Sequence, residues 1–551
     1  MRKFKFYSLI ILPLALVTLL GCSTEDSVIK QRQKPYRITT QDGYKTTITA
    51  SNGAPVNITS TIFRSDLLQL CDKLTPIEME DYFALAKATN FNCIDLPFMW
   101  SELETSEGVY DYSHIETYLD LAKKYNIRIN LIWYGSFVDG ETHTTNMPKY
   151  IYADQKTYPL VQYCLENSVF GDTVIMNYSN KALLKQESSA VKALFNYVAD
   201  WNLENEKYNP IMIFQCGQGL DRLERYRIEQ YNVQYNGEIM SNDQAEKFVE
   251  DYVVAISSAA KNSLYAPITR VDFCEQTAVT SYVRSVENIS TLDILSTTYL
   301  ATVANTKTGM NNFSNEYNDT KPVMCSENWS NDLNYRSALV TYARGGCGFT
   351  SYNLSSPLYY PLQPITSETN TNGGVMYYRR NAEGTTLEEK FKEVNQRATN
   401  IKVVNDFVNK AYVPVSKTIK ENFALFGFDS KTIREQGVQK VYFDCGLMLD
   451  NVTSDTSSFG ISMYCDNYLF IISNADGELT INNGSLQSCS TGQFDEDGFW
   501  AKEDSILLES NVLKYEKNKL YRIRINDVQE LPSEESLDDS SYKNTNDIIK
   551  G

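Results

Sequence analysis

Eight short apolar runs, separated by stretches of helical periodicity, are spread over residues 55–415, and this alternation constrains the fold more than any other feature of the chain. The runs are Val56–Phe63, Asn92–Phe98, Ile127–Tyr134, Ile211–Cys216, Pro267–Phe273, Leu292–Tyr299, Pro322–Ser326 and Gly348–Leu354. Each is short, of strand length, and has strand character. Between them, Tyr82, Phe83, Leu85 and Ala86, and then Ile115, Tyr118, Leu119, Leu121 and Ala122, repeat at about 3.6 residues, which predicts helices lying on a sheet. Three helix starts are spelled as capping boxes: Thr75-Pro76-Ile77-Glu78, Ser113-His114-Ile115-Glu116 and Ser241-Asn242-Asp243-Gln244. Eight strands alternating with helices over this length predict an α/β chain folded as a (β/α)8 TIM barrel. An open doubly wound sheet is the alternative, but no G-x-G-x-x-G follows its first strand. Long insertions are expected after strands three, four and six, on the face where barrels carry their chemistry.

After residue 415 the pattern becomes all-β. Lys440–Leu449, Phe459–Ser473, Glu478–Asn482 and Leu520–Asn526 are strand-like, with turn signals near Gly477, Gly484 and Gly498. The expected organisation is a leader at 1–21, a tether and lead-in strand at 22–50, the barrel at 51–415, a β-sandwich at 416–527 and an acidic tail at 528–551. The sandwich reads as a cap on the barrel or as a carbohydrate-binding module.

Arg2, Lys3 and Lys5 precede an apolar run from Phe6 to Leu20, too short for a comfortable membrane span and charged like a secretory signal. Its end, Leu19-Leu20-Gly21-Cys22, resembles a bacterial lipobox. That resemblance implies cleavage before Cys22, diacylation of Cys22 and a membrane partner reached through the lipid. Glu25 and Asp26 resemble the surface-export signal of some Gram-negative lipoproteins. The expected location is therefore the outer membrane, with the cell surface as an extension of it. A net charge of -18 argues against a nucleic-acid partner. No C-x-x-C pair and only two histidines, His114 and His143, give no basis for a metal site, and no cofactor is expected. Cys93, Cys216 and Cys325 lie within apolar runs and read as buried small hydrophobes. A disulfide among Cys445, Cys465 and Cys489 stays open.

Barrel chemistry sits at the C-terminal ends of the strands. Those ends carry Trp100 and Glu102, Trp133 and Tyr134, Gln215 and Gln218, Tyr299, Glu327 and Trp329, and Tyr352 and Asn353. Aromatics, amides and carboxylates without bases are the inventory for a saccharide, since rings stack on pyranose faces and amides bond hydroxyls. Glu327 ends the run Pro322–Ser326, where a carboxylate can attack an anomeric carbon; it can equally cap a helix or pair with an arginine.

The segment Asn92–Glu104 followed by Glu107-Gly108-Val109-Tyr110-Asp111-Tyr112 resembles the second-strand signature W-x-x-[IL]-E-P-x-x-G-x-[FY]-[DN]-[FY] of β-galactosidase-type glycoside hydrolases, the clan A barrels of families 35 and 42. Leu131–Phe137 resembles a third-strand segment of a related branch, Lys321–Trp329 the segment carrying the nucleophile, and Gly345–Asn353 the eighth-strand motif. The resemblance covers residues 55–360. It implies a retaining hydrolase of β-linked oligo- or polysaccharides with Glu327 as nucleophile. The fourth strand departs from the family. Where Q-x-[ED]-N-E is expected, the chain reads Gln215-Cys216-Gly217-Gln218-Gly219, so Gly219 falls on the general acid. Three explanations are open. A displaced carboxylate replaces it, with Asp221 the first candidate and Glu224, Asp139 and Glu141 behind. The substrate brings a good leaving group or its own acid. Or the groove binds glycan without turnover.

Overall fold

The computed structural model describes residues 31–39, 47–66, 75–136, 146–165, 173–176, 180–220, 231–235, 238–239, 241–273, 278–298, 302–317, 320–328, 334–352, 392–411, 423–427, 438–442, 447–453, 459–465, 467–473, 475–494, 500–508, 510–528 and 542–544. Cys22, Asp221, Tyr299, Trp329 and Asn353, like Asp139, Glu141, His143 and Glu224, lie outside them.

Eight strands close into a parallel barrel: β1 (Ile58–Ile62), β2 (Cys93–Met99), β3 (Arg128–Tyr134), β4 (Ile211–Gln215), β5 (Ile268–Phe273), β6 (Ile294–Thr297), β7 (Val323–Asn328) and β8 (Gly348–Ser351). Each pairs with its neighbours in chain order, and β8 returns to β1. All eight expected runs are present. The outer layer includes α1 (Pro76–Ala88), α2 (Ser113–Tyr125), α3 (Lys181–Glu204), α4 (Asn242–Lys261), α5 (Ser281–Val286), α6 (Val303–Tyr317), α7 (Asn334–Ala343) and α8 (Lys392–Ala411).

The helix starts test the capping rules one by one. Pro76 opens α1, where its missing N–H costs nothing. Ser241 and Gln244 form the expected reciprocal box on α4. On α2 the box does not form. The Asp111 carboxylate takes the Ser113 N–H at 2.9 Å, so the helix starts earlier than the serine spelling implies. Of the insertions expected after strands three, four and six, the last changes. The stretch after β6 is occupied mainly by α6 rather than by an insertion. The insertions after β3 and β4 build one antiparallel sheet from Leu160–Leu165, Thr173–Met176, Tyr231–Tyr235 and Glu238–Ile239.

Period-two alternation fills the barrel in layers. Its floor is Ile58, Cys93, Ile213, Ile268, Ile294, Met324 and Cys347, closed from below by Tyr36 and Ile48 of a small lead-in sheet. The middle layer is polar and fully enclosed. Arg270 pairs with Asp95 and donates to Gln215 Oε1 at 2.7 Å. Ser60 and Asn130 donate to Asp95 at 2.5 and 2.7 Å, and Thr350 at 3.2 Å. Above lie Ile62, Met99, Ile132, Tyr134 and Tyr352.

The C-terminal region holds a six-stranded and a five-stranded sheet. The first runs β9 (Phe423–Gly427), β12 (Phe459–Cys465), β13 (Tyr468–Ser473), β18 (Tyr521–Asn526), β15 (Ser485–Phe494), β16 (Trp500–Ile506). The second runs β17 (Val512–Tyr515), β14 (Gly477–Ile481), β11 (Met448–Thr453), β10 (Val438–Tyr442), β19 (Tyr542–Asn544). Leu469, Ile471, Ile523 and Ile525 from one meet Leu449, Leu479, Ile481 and Leu513 from the other. Cys489 is a free, buried thiol, as are Cys93, Cys216 and Cys325, so Cys489 takes no part in the disulfide left open by the sequence.

Candidate functional site

The side chains gathered at the C-terminal mouth of the barrel come from the ends of seven strands, β1 and β3 to β8. Glu327 is placed there by an irregularity. Cys325 pairs with Phe349 and Asn328 with Ser351, so β7 carries one residue more than β8 between those pairs. Such a bulge re-aims the side chain it contains. Glu327 also has φ 54°, the left-handed region, which costs a non-glycine residue about 1–2 kcal/mol. The result is that Ser326 and Glu327, neighbours in sequence, both turn inward. Ser326 Oγ donates to Ser296 Oγ at 3.1 Å, while Glu327 Oε2 accepts from Gln218 Nε2 at 3.0 Å and from Thr298 Oγ1 at 3.5 Å.

The Gln218 amide is oriented from its other end. The Tyr134 hydroxyl donates to Gln218 Oε1, which leaves the amide nitrogen facing the Glu327 carboxylate. Burial above all, and then the negative charges of Asp66, Glu327 and Asp272, push the Tyr134 phenol well above its ordinary value, against the opposing Arg64 guanidinium. Tyr134 is therefore a neutral donor. Arg64, just past β1, holds Asp66 in a two-bond fork, Nε to Oδ1 at 2.9 Å and Nη2 to Oδ2 at 2.7 Å. Glu327 is 4% exposed, and its carboxylate is held by an amide and a hydroxyl.

Tyr134, Gln218, Glu327 and Tyr352 thus come together. Four other sequence candidates do not join them: Trp133, Trp100 and Glu102 make their contacts away from the mouth, and Gln215 lies beneath it. A residue's position at a strand end says nothing about which side of the barrel wall it faces. Trp133 lies one residue from inward-facing Tyr134, so it points outward into the helix layer, with its indole donating to Glu187 Oε1 at 2.8 Å. Trp100 is fully buried and donates to Glu104 Oε2 at 2.7 Å. Glu102 accepts the Met99 N–H at 2.8 Å and pairs with His114 Nδ1 at 3.0 Å. Gln215 sits below the mouth, bonded to Arg270 and, at 2.9 Å, to the Gly217 carbonyl. It braces the turn that carries Gln218.

The second-strand signature has a structural cause. Glu104 is enclosed, and besides Trp100 it accepts from Gly108 N at 2.7 Å, Gln186 Nε2 at 2.8 Å and Tyr150 OH at 2.9 Å. The W-x-x-L-E-x-x-x-G spacing therefore describes a clamp around one carboxylate, outside the mouth.

Sequence reasoning missed Asp272. On β5, Ile268 belongs to the floor, Arg270 to the polar layer, and Asp272, two residues on, to the top. Asp272 is 1% exposed, and its Oδ1 accepts the Gly219 N–H at 3.3 Å. The same two-residue count along Ile268-Thr269-Arg270-Val271-Asp272 was the available signal.

No family model matches the chain, and no curated protein matches it. Solved structures similar to it include an exo-β-1,4-mannosidase from Opitutaceae bacterium strain TAV5, at 12% identity and TM-score 0.43 over 65% of this chain. This chain spans 61% of that protein's length. A GH30 endoxylanase from Clostridium papyrosolvens C71 is similar at 11% identity and TM-score 0.42, covering 88% of this chain and 98% of its own. A family 39 glycoside hydrolase from Bacteroides cellulosilyticus WH2 is similar at 9% identity and TM-score 0.42, covering 90% and 88%. At these identities and scores, function rests on the geometry of the mouth itself.

Proposed function

We propose that the chain is a retaining glycosidase of β-linked glycans, β-galactosidase-like in its substrate, with Glu327 as nucleophile. The observation that carries this reading is the bulged, left-handed backbone at the end of β7, which turns the Glu327 carboxylate into the barrel mouth. Backbone strain of this kind persists where surrounding structure over-determines it, commonly at sites of chemistry. Gln218 and Thr298 fix one carboxylate oxygen. In the proposed reaction the carboxylate attacks the anomeric carbon as the glycosidic bond breaks, and water later releases the sugar.

The test uses 2,4-dinitrophenyl β-glycosides of galactose, glucose, mannose and xylose, whose leaving group needs no proton. Wild type turns over at least one, and Glu327→Gln slows that turnover about 10³-fold or more. The matching 2-deoxy-2-fluoro glycoside labels Glu327, read by peptide mass spectrometry. Turnover of none of the four, or a label on another residue, refutes the reading.

One observation favours a second reading, a glycan-binding protein without turnover: Gly219 stands where the family resemblance places the general acid. Saturable glycan binding by calorimetry with no hydrolysis of any activated glycoside selects it. We also propose that the protein is exported and anchored through a lipid on Cys22. Labelled palmitate incorporated by wild type and not by Cys22→Ala supports this; equal incorporation refutes it. The C-terminal sheets are assigned as a β-sandwich domain that caps the barrel.

A further inference from the structure

We propose that Asp272 is the proton donor of this site, so that the acid has moved from the fourth strand to the fifth. The inference rests on the glycosidase reading above and deepens it.

The backbone shows what occupies the place of the missing carboxylate. Gly217 and Gly219 have φ of 73° and 65°, and the turn they shape ends β4 at the mouth. Gly219 offers no side chain, and its N–H reaches the Asp272 carboxylate at 3.3 Å. The preceding residue, Gln218, reaches Glu327 at 3.0 Å. Two consecutive residues therefore touch the two carboxylates, one each, and Asp272 and Glu327 flank a single turn. The Tyr134 phenol lies in the field of both. Their depth is alike, 1% and 4% exposed. Asp66, also at the mouth, has both oxygens in the Arg64 fork. Asp272 is the carboxylate that adjoins the vacated position.

The chemistry balances with these two groups. The Glu327 carboxylate forms a bond to the anomeric carbon while the bond to the leaving oxygen breaks. That oxygen takes the proton of the Asp272 carboxylic acid and departs as an alcohol. Asp272, now a carboxylate, takes a proton from water as the water oxygen attacks the anomeric carbon and the bond to Glu327 breaks. Both groups return to their starting forms. The substrates assigned to such a site are ordinary glycosides with alkyl or sugar leaving groups, beyond activated aryl ones.

The test compares wild type, Asp272→Asn and Asp272→Ala on one sugar series carrying 2,4-dinitrophenol, 4-methylumbelliferone and methanol as leaving groups. Asp272→Asn keeps the volume and an oxygen acceptor for the Gly219 N–H, and Asp272→Ala opens room for a small anion. The expected result is a loss of about 10²–10⁴-fold in kcat/KM for the two poorer leaving groups, with the dinitrophenyl glycoside much less affected. Sodium azide speeds Asp272→Ala and yields a glycosyl azide of retained configuration, which a merely structural role would not produce. Equal losses on all three leaving groups, with no azide product, overturn the assignment while wild-type turnover leaves the glycosidase reading standing. A wild type inactive even on the dinitrophenyl substrates overturns both.

Discussion

Glu187, on α3, is a carboxylate with no solvent exposure and a set of donors aimed at it: Trp133 Nε1, the Ser136 N–H and hydroxyl, and the Tyr252 hydroxyl. Burial raises its pKa above the ordinary carboxylate value, and the donors oppose the rise without cancelling it. The folded state then holds its proton more tightly than the unfolded chain. Stability contributed by this group is present at low pH and falls as pH rises through the ordinary carboxylate value to the raised one. Glu187→Gln removes that fall and keeps an oxygen for Trp133, Ser136 and Tyr252, so urea midpoints measured from pH 4 upward flatten with pH. Glu187→Leu strands buried donors and costs on the order of 3 kcal/mol or more at any pH. Gly135 belongs to the same contact, since a Cβ there would lie 1.9 Å from Glu187 Oε1. The Trp133-Tyr134-Gly135-Ser136 string is thereby explained residue by residue. Trp133 and Ser136 grip Glu187, Gly135 makes room for it, and Tyr134 is left facing the mouth.

At the scale of elements, the four-residue helix Trp100–Leu103 ends β2 and is held at both ends. Glu102 takes the Met99 N–H, and its other oxygen meets His114 in the first turn of α2. The hydrogen bond to Glu102 raises the His114 pKa, against its partial burial. A raised histidine pKa gives stability that is fully present below about pH 6.5 and is lost as pH rises through the folded value. The stability difference between wild type and His114→Asn should therefore be about 0.2–1 kcal/mol at pH 5.5 and shrink above neutrality. Equal differences at pH 5.5 and 8.5 in paired denaturation curves would contradict it. This helix also shows what the sequence can and cannot convey. The strands were legible because short apolar runs recur between helical patterns, and Ser241 was legible because both halves of its box are local. Trp100 and Glu102 were not, because their partners Glu104 and His114 are chosen by the path of the chain after β2. Ser113 became the first residue of α2 rather than its cap because the Asp111 carboxylate takes its N–H, a choice that only geometry decides. The bulge that aims Glu327 left no trace in residue types.

At the scale of the whole molecule, one helix joins the two regions. Ile401, Val403, Val404, Phe407 and Val408 of α8 are buried, and the same apolar cluster contains Phe470, Ile472 and Leu520 from the C-terminal region. Alternation on β13 makes this possible, with Leu469 and Ile471 facing the opposite sheet and Phe470 and Ile472 facing the barrel. Polar bonds hold the barrel side of α8, where Asn405 donates to the Thr89 carbonyl and Asn409 to the Asn90 carbonyl, each at 2.9 Å. Between that helix, Gln493 and Phe494 of β15, and the loops at the barrel floor lies a cavity of about 610 Å³ lined by Asn57, Asn90, Asn92 and Asn126. Its amides are engaged locally: Asn92 donates to the Asn57 backbone carbonyl and to Asn409 Oδ1, Asn90 donates to Asp406, and Asn126 accepts from Arg128. An apolar interface backed by side-chain to backbone bonds couples unfolding of the two regions, whereas loosely joined domains melt separately. Calorimetry of the whole chain should give one transition. A chain ended after residue 415 should lose several degrees of melting temperature and aggregate through the uncovered face of α8. Phe470→Ser should lower the single transition without splitting it, since the residue is shared by both regions. Two resolved transitions in the intact chain would instead mean that the sheets fold independently and that α8 belongs to the barrel alone.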